Sequence, residues 1–150
     1  MEEFYWIGLK AVPGIGNVLF RRLLERFDTP GAALSASAGL LSGVRGITAA
    51  IIEEIKGGAW RRFAEDECRR LETSGARLVM FTSADYPKAL FQIPDPPPFI
   101  YVKGLLSRND EVSIKTDYIA VSYSNFISQN ISKYQQFFSR FSSDGRAIDS

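Results

Sequence analysis

Two glycine-containing turns stand where backbone amides can bind a phosphate group. The first, Val12-Pro13-Gly14-Ile15-Gly16, precedes a stretch of helical periodicity that carries two arginines. Its glycines permit a tight turn, and the amides at the start of the next helix can face an anion. The second turn, Gly43-Val44-Arg45-Gly46-Ile47, has the same character. The predicted phosphate contacts of the two turns are Gly14, Gly16, Arg21 and Arg45.

Both turns join segments of helical periodicity, which is typical of helix-hairpin-helix elements. An alternative interpretation is that they are packing hairpins between antiparallel helices. Charge favours this alternative, because residues 1–75 hold 10 basic and 10 acidic side chains. A non-specific DNA-binding protein normally presents an excess of positive charge.

Composition excludes several kinds of site. The chain has no histidine, which argues against a Ser-His-Asp hydrolase, and the single Cys68 forms no disulfide or cysteine-based metal site within one chain. We therefore predict no metal, no cofactor and no catalytic residue. The acidic start, Met1-Glu2-Glu3, and short apolar runs predict neither a signal peptide nor a membrane span, and hence a cytoplasmic protein.

The positions of apolar residues predict helices in the first half of the chain. Thr29 is predicted to cap a helix with Pro30 at its first position, and Gly75 to end the last helix of this half. The predicted helical segments are 3–10, 18–27, 32–38, 48–55 and 60–74, with the second glycine turn extending over 41–48.

After Gly75 the pattern changes to short apolar runs. They predict strands at 77–81, 99–103 and 118–121, a helical turn at 86–93 and a closing helix at about 127–141. The proline-rich segment 94–98 is predicted to be a rigid connector without hydrogen bonds. Strands separated by helices favour a parallel sheet with an uncovered edge. The overall fold class is therefore predicted to be α+β.

The segments Asp85-Tyr86-Pro87-Lys88-Ala89-Leu90 and Ile93 to Gly104 resemble the DprA/Smf family of DNA-processing proteins. In that family a Tyr-Pro-x-x-Leu element and an Asp-Pro-Pro-Pro-x-Leu-Tyr-x-x-Gly element introduce a Rossmann-like domain. The resemblance extends over Phe4–Gly104 and implies a helix-hairpin-helix (SAM-like) module at 1–75 and an incomplete Rossmann-like α/β domain at 76–150. The motif residues interpreted as scaffold are Tyr86, Pro87, Asp95, Pro96, Pro97, Pro98, Tyr101 and Gly104.

The resemblance implies a protein of natural transformation and DNA recombination. Such proteins bind single-stranded DNA, dimerise and pass the DNA to a RecA-type recombinase, without catalysis. Family members bind DNA phosphate with a Gly-Ser-Arg-x-x-Ser/Thr turn, whose counterparts here are Ser124, Asn125 and Ser128. Tyr123 replaces the glycine and Asn125 the arginine, which predicts a weakened phosphate site. We therefore expect a truncated, DprA/Smf-like single-stranded-DNA-binding protein, in which the altered turn weakens the phosphate contact.

Two other interpretations remain open at this point. In the first, the chain is a degenerate remnant whose helical module serves only as a protein-interaction domain. In the second, it is a Rossmann-like nucleotide-processing enzyme such as a phosphoribohydrolase. The enzyme would need a Pro-Gly-Gly-x-Gly-Thr loop, which the sequence lacks.

Overall fold

The computed structural model describes residues 2–103 and 118–120. These residues form an α+β structure, with α-helices followed by a small antiparallel sheet, as the sequence predicts. The chain divides into two compact units, Met1–Ser74 and Gly75–Ser150. The predicted closing helix at 127–141 lies outside the described residues.

The first unit is helical. Its helices are α1 (Glu2–Ala11), α2 (Asn17–Phe27), α3 (Pro30–Ser35), α4 (Ala38–Ser42), α5 (Ala49–Gly57) and α6 (Trp60–Ser74).

None of the helices in the described ranges has the length and apolar character needed to cross a membrane.

Local signals in the sequence set several helix ends. The hydroxyl oxygen of Thr29 accepts a hydrogen bond of 3.1 Å from the Ala32 amide, and Pro30 is the first residue of α3. Gly75 directly follows α6 and has a φ of 69°, a conformation that glycine adopts without strain. The predicted caps at Thr29 and Gly75 and the predicted bounds of α6 are confirmed.

The predicted helix at 32–38 is wrong, because the chain forms two short helices there. Ala36 is extended, and the Ser37 hydroxyl accepts a hydrogen bond of 3.3 Å from the Leu40 amide, so that a new helix begins. A serine at this position competes for backbone amides and favours a helix start over a helix interior. The second glycine turn is consequently shorter than predicted, since Leu41 and Ser42 belong to α4.

The core of the first unit lies between α1 and the helices that contact it. The rings of Trp6 and Phe20 lie 5.4 Å apart between centroids, and α1 packs against α3 and α6. The Trp60 indole donates a hydrogen bond of 3.1 Å to the Ile55 carbonyl, which fixes the corner between α5 and α6.

The second unit contains the strands β1 (Ala76–Met80), β2 (Phe99–Lys103) and β3 (Tyr118–Ala120), in the order β1-β2-β3. Leu78 pairs with Tyr101 in the first ladder, and Val102 pairs with Ile119 in the second. Both ladders are antiparallel, so the predicted parallel sheet is wrong for the described strands. A parallel crossover needs a helix that returns the chain along the sheet, whereas segment 81–98 contains only the short 3₁₀ helix Lys88–Gln92.

The proline-rich connector does take part in hydrogen bonds, contrary to the prediction. The Phe81 amide donates to the Pro98 carbonyl at 2.9 Å, and the Tyr86 hydroxyl donates to the Pro97 carbonyl at 2.7 Å. Proline lacks only the donor of the peptide group and keeps its acceptor. The connector is thereby fastened over an apolar cluster formed by Val79, Tyr86, Leu90, Ile100 and Val102.

Candidate nucleic-acid interface

The two glycine turns have the same backbone geometry. Ile15 donates its amide to the Val12 carbonyl at 3.1 Å, and Ile47 donates to Val44 at 3.1 Å. The glycine at the third position of each turn has a positive φ, 88° at Gly14 and 98° at Gly46. This pattern is that of a type II turn, in which the third residue requires the left-handed region.

The two turns belong to an internal repeat with a constant offset of 32 residues, counted from Gly14 to Gly46. The residue before each following helix, Gly16 or Thr48, accepts the first helical hydrogen bond, from Phe20 at 2.9 Å and from Ile52 at 3.1 Å. The repeated positions are Leu9 and Leu41, Val12 and Val44, Ile15 and Ile47, and Leu19 and Ile51.

The two copies of the repeat pack against each other reciprocally. A Cβ atom at Gly14 would lie 2.9 Å from Cγ1 of Ile51, on the second copy. A Cβ atom at Gly46 would lie 3.7 Å from Cδ1 of Leu19, which is the counterpart of Ile51 on the first copy. Each turn therefore lies against the helix that follows the other turn.

Arg22 links the first copy of the repeat to the second turn. Its Nη1 donates a hydrogen bond of 3.0 Å to the Arg45 carbonyl, although the two residues are far apart in sequence. The same nitrogen would lie 3.2 Å from a Cβ atom at Gly46. The guanidinium group thus fixes the distance between α2 and the second turn, while the Arg45 side chain is exposed.

A buried lysine supports the first turn. Lys10 is only 5% exposed, and its Nζ donates a hydrogen bond of 3.2 Å to the Ile15 carbonyl. A charged ammonium group is costly to bury unless its donors are satisfied, so this bond ties the end of α1 to the turn. It also places positive charge beneath the backbone of the turn.

The helices that follow the turns begin in different ways. At α5 the Thr48 hydroxyl accepts a hydrogen bond of 3.3 Å from the Ile51 amide. At α2 the corresponding residue is Gly16, which has no side chain and makes no such bond. The first amides of α2 are therefore not capped by a preceding side chain, and helix N-termini of this kind favour an acceptor such as a phosphate oxygen.

The predicted turn residues lie on the two copies of the repeat. Gly14, Gly16 and the half-buried Arg21 belong to the first copy, and Arg45 to the second. Gly14 needs the conformational freedom of glycine, whereas Gly16 has an ordinary φ of −79°. Of the other predicted phosphate contacts, Ser124, Asn125 and Ser128 lie outside the described residues.

The described motif residues of the second unit lie just before the 3₁₀ helix, in the proline-rich connector and in β2. Tyr86 is buried, Pro87 precedes the 3₁₀ helix, and the Tyr101 ring contacts Phe99 edge-on at 5.8 Å. Pro97 and Pro98 are buried, whereas Asp95 is exposed and Pro96 is half-buried. The interpretation of this set as scaffold stays a prediction, and Gly104 lies outside the described residues.

Two residues that shape the candidate interface were not among the predicted contacts. Lys10 looks like an ordinary surface residue near the end of a helix, and only its burial reveals its contact with the turn. Arg22 lies on the predicted helix, but its bond to Arg45 depends on tertiary packing. The recurrence of Val-x-Gly-Ile is the one signal in the sequence that links the two turns.

Comparison with known proteins identifies one related protein. The chain is 32% identical over 112 residues to a protein named Smf from Synechocystis sp. (strain ATCC 27184 / PCC 6803 / Kazusa). The match covers 73% of this chain and 27% of the cyanobacterial protein, so the chain spans about a quarter of its relative's length. No protein-family model matches the chain, and no solved structure matches it.

Proposed function

Because this chain is related by descent to the DprA/Smf family, we propose that it acts in DNA processing by binding single-stranded DNA. The observation that carries the proposal is the 32% identity over 112 residues to a protein Smf. The proposed DNA binding serves natural transformation and DNA recombination in the cytoplasm. A RecA-type recombinase receives the DNA, and a homodimer is the proposed assembly.

The geometry of the two turns supports a role in phosphate binding. Gly16 leaves the first amides of α2 without a side-chain cap, and Lys10 adds positive charge beneath the same turn. On the second copy, Arg45 exposes its guanidinium group while its carbonyl is held by Arg22. The reciprocal packing keeps the two turns in a fixed relationship, as the binding of successive phosphates requires.

The finer assignment of the fold is part of the same proposal. Residues 1–75 form a helix-hairpin-helix (SAM-like) module, and residues 76–150 begin a Rossmann-like domain. The repeat of two turns, each followed by a helix, supports the first assignment. Ser124, Asn125 and Ser128 complete the DNA contacts in this proposal.

The proposed activity is binding and transfer of DNA, without catalysis. The positioning of an exposed arginine and uncapped amides favours a ligand with several phosphates over a small substrate. The protein needs no metal and no cofactor for this role.

A binding titration with the full chain tests the proposal. Fluorescence anisotropy of a labelled single-stranded oligonucleotide should show saturable binding that is stronger than binding to the corresponding duplex. Arg45→Ala should weaken binding several-fold, while Arg62→Ala, which removes an exposed arginine from α6, should leave it nearly unchanged. Absence of binding at low salt would refute the DNA-binding role.

A second candidate function is a helical protein-interaction module. The observation that favours it is a set of large hydrophobic side chains exposed in the first unit, together with balanced charge in residues 1–75. The exposed side chains are Tyr5, Val18, Leu40 and Phe63. If this candidate is right, Leu40→Ser in the full chain weakens binding to a RecA-type recombinase and leaves the affinity for single-stranded DNA unchanged.

A further inference from the structure

The 3₁₀ helix Lys88–Gln92 of the second unit carries an aromatic side chain that its apolar cluster does not enclose. Phe91 is 51% exposed, whereas its neighbour Leu90 is 3% exposed and belongs to the cluster. Exposing half of a phenyl ring forfeits much of the free energy that its burial would contribute. Phe91 therefore presents an aromatic face to solvent.

One side of the Phe91 ring packs against the ring of Tyr86. Its ring centroid lies 4.8 Å from that of Tyr86, with an angle of 52° between the planes. Tyr86 is itself buried, and its hydroxyl is anchored to the Pro97 carbonyl at 2.7 Å. The ring of Phe91 consequently contacts the buried Tyr86 on one side and is exposed to solvent elsewhere.

Lys88 and Phe91 are the first and fourth residues of this 3₁₀ helix. Side chains three residues apart in a 3₁₀ helix are nearly eclipsed, so Lys88 lies alongside Phe91. Lys88 is exposed, and the acid that precedes it, Asp85, lies 3.6 Å from Nη1 of Arg77. The spacing of the two residues thus brings the exposed Lys88 to the side of the exposed ring.

An exposed aromatic ring beside a cation matches the chemistry of one nucleotide in a single strand. The ring stacks on the base, and the ammonium group meets the neighbouring phosphate. A duplex does not fit this arrangement, because its bases are already stacked on one another. A purely apolar ligand would offer no negative charge to the ammonium group of Lys88.

We propose that Phe91 is a stacking platform for a base of single-stranded nucleic acid and that Lys88 binds the adjacent phosphate. This inference rests on the proposed function, which it deepens by adding a contact in the second unit that is separate from the two glycine turns. The site recognises any base, since every base offers a flat face.

The test uses the full chain and two labelled probes, oligo(dT) and an oligonucleotide of abasic units that keeps the phosphates. Phe91→Leu keeps an apolar side chain and removes the aromatic face, so it should weaken oligo(dT) binding about 5- to 30-fold. On the abasic probe, Phe91→Leu and the wild type should bind equally. Phe63→Leu, which changes another exposed phenylalanine (37% exposed) on α6, should alter neither affinity by more than about twofold.

Two further variants separate the roles of the two residues. Phe91→Trp should restore oligo(dT) binding, and its emission should be quenched on binding, while Trp6 and Trp60 are buried and report little. Lys88→Gln should weaken both probes and lower the slope of log affinity against log salt by about 0.7.

Four results would overturn the inference. Wild-type affinity of Phe91→Leu for oligo(dT) would refute stacking and leave the proposed function standing. An equal loss on both probes, or a dimer that Phe91→Leu dissociates without a change in DNA affinity, would assign Phe91 to structure or to self-association. Failure of the wild type to bind either probe would refute the proposed function together with this inference.

Discussion

Gly14 lies against Ile51 so closely that a Cβ atom at residue 14 would be 2.9 Å from Ile51 Cγ1. The contact joins the first turn to the helix after the second turn, and Gly14 also has a φ of 88°. Residues other than glycine are strained at such a φ. Backbone conformation and tertiary packing therefore both require glycine at this position.

Gly14→Ala should lower the free energy of unfolding of the first unit by about 1–3 kcal/mol, from backbone strain and the clash with Ile51. Urea unfolding followed by tryptophan fluorescence measures this, because both tryptophans, Trp6 and Trp60, lie in the first unit. The control is Gly16→Ser, since Gly16 has an ordinary φ and nothing within 4 Å of a Cβ atom. That control should change the unfolding free energy by less than about 0.5 kcal/mol; equal destabilisation by both variants would contradict the account.

Arg22→Lys should destabilise the first unit by about 0.5–1.5 kcal/mol. Lysine keeps the charge but loses the planar guanidinium group that donates to the Arg45 carbonyl. Arg26→Lys, near the exposed end of the same helix, is the matched control and should have little effect. The same urea experiment gives both values, and an unchanged midpoint for Arg22→Lys would show that the link does not stabilise the repeat.

Tyr86→Phe should destabilise the second unit by about 1–2 kcal/mol, because it removes a buried donor and leaves the Pro97 carbonyl without it. Amide hydrogen exchange of Val79 and Ile100, on adjacent strands, should become faster by a corresponding factor. Tyr5→Phe is the control, since Tyr5 is 42% exposed in the first unit. Unchanged exchange in Tyr86→Phe would mean that the proline connector is not fastened by this bond.

Burial, and then the carboxylates of Glu3, Glu72 and Glu67, raise the pKa of the Cys68 thiol. A raised pKa leaves less thiolate at a given pH, so iodoacetamide should react with Cys68 more slowly at pH 8 than with free cysteine. The midpoint of the rate against pH should lie above the usual value of about 8.5 and move down in Glu72→Gln. Glu53→Gln, on α5, should not move it, and a midpoint at or below that of free cysteine would contradict the assignment.

The sequence predicts those features that depend on neighbouring residues. The cap at Thr29, the glycine that follows α6 and the turns at Gly14 and Gly46 are all set by a few adjacent side chains. The break at Ala36–Ser37 is also local, but a short apolar run there resembles one helix. Helix propensity alone does not distinguish a serine in a helix from a serine that starts one.

Features that depend on distant residues could not be predicted in the same way. The direction of β2 relative to β1 is decided by how segment 81–98 packs, and alternation of apolar residues is the same in parallel and antiparallel strands. The bond from Arg22 to Arg45 and the burial of Lys10 arise only when two hairpins pack together. The residues of the candidate interface were thus partly predictable, but their mutual support was not.

The salt dependence of binding shows whether this chain binds the phosphates of single-stranded DNA partly through its glycine turns, as we propose. The affinity of the full chain for oligo(dT) should fall linearly as log salt rises, with a slope of about −0.7 for each phosphate contacted. Arg45→Ala should make the slope shallower by about 0.7, and Arg62→Ala should leave it unchanged. A slope near zero, or the same slope for the wild type and Arg45→Ala, would contradict the claim.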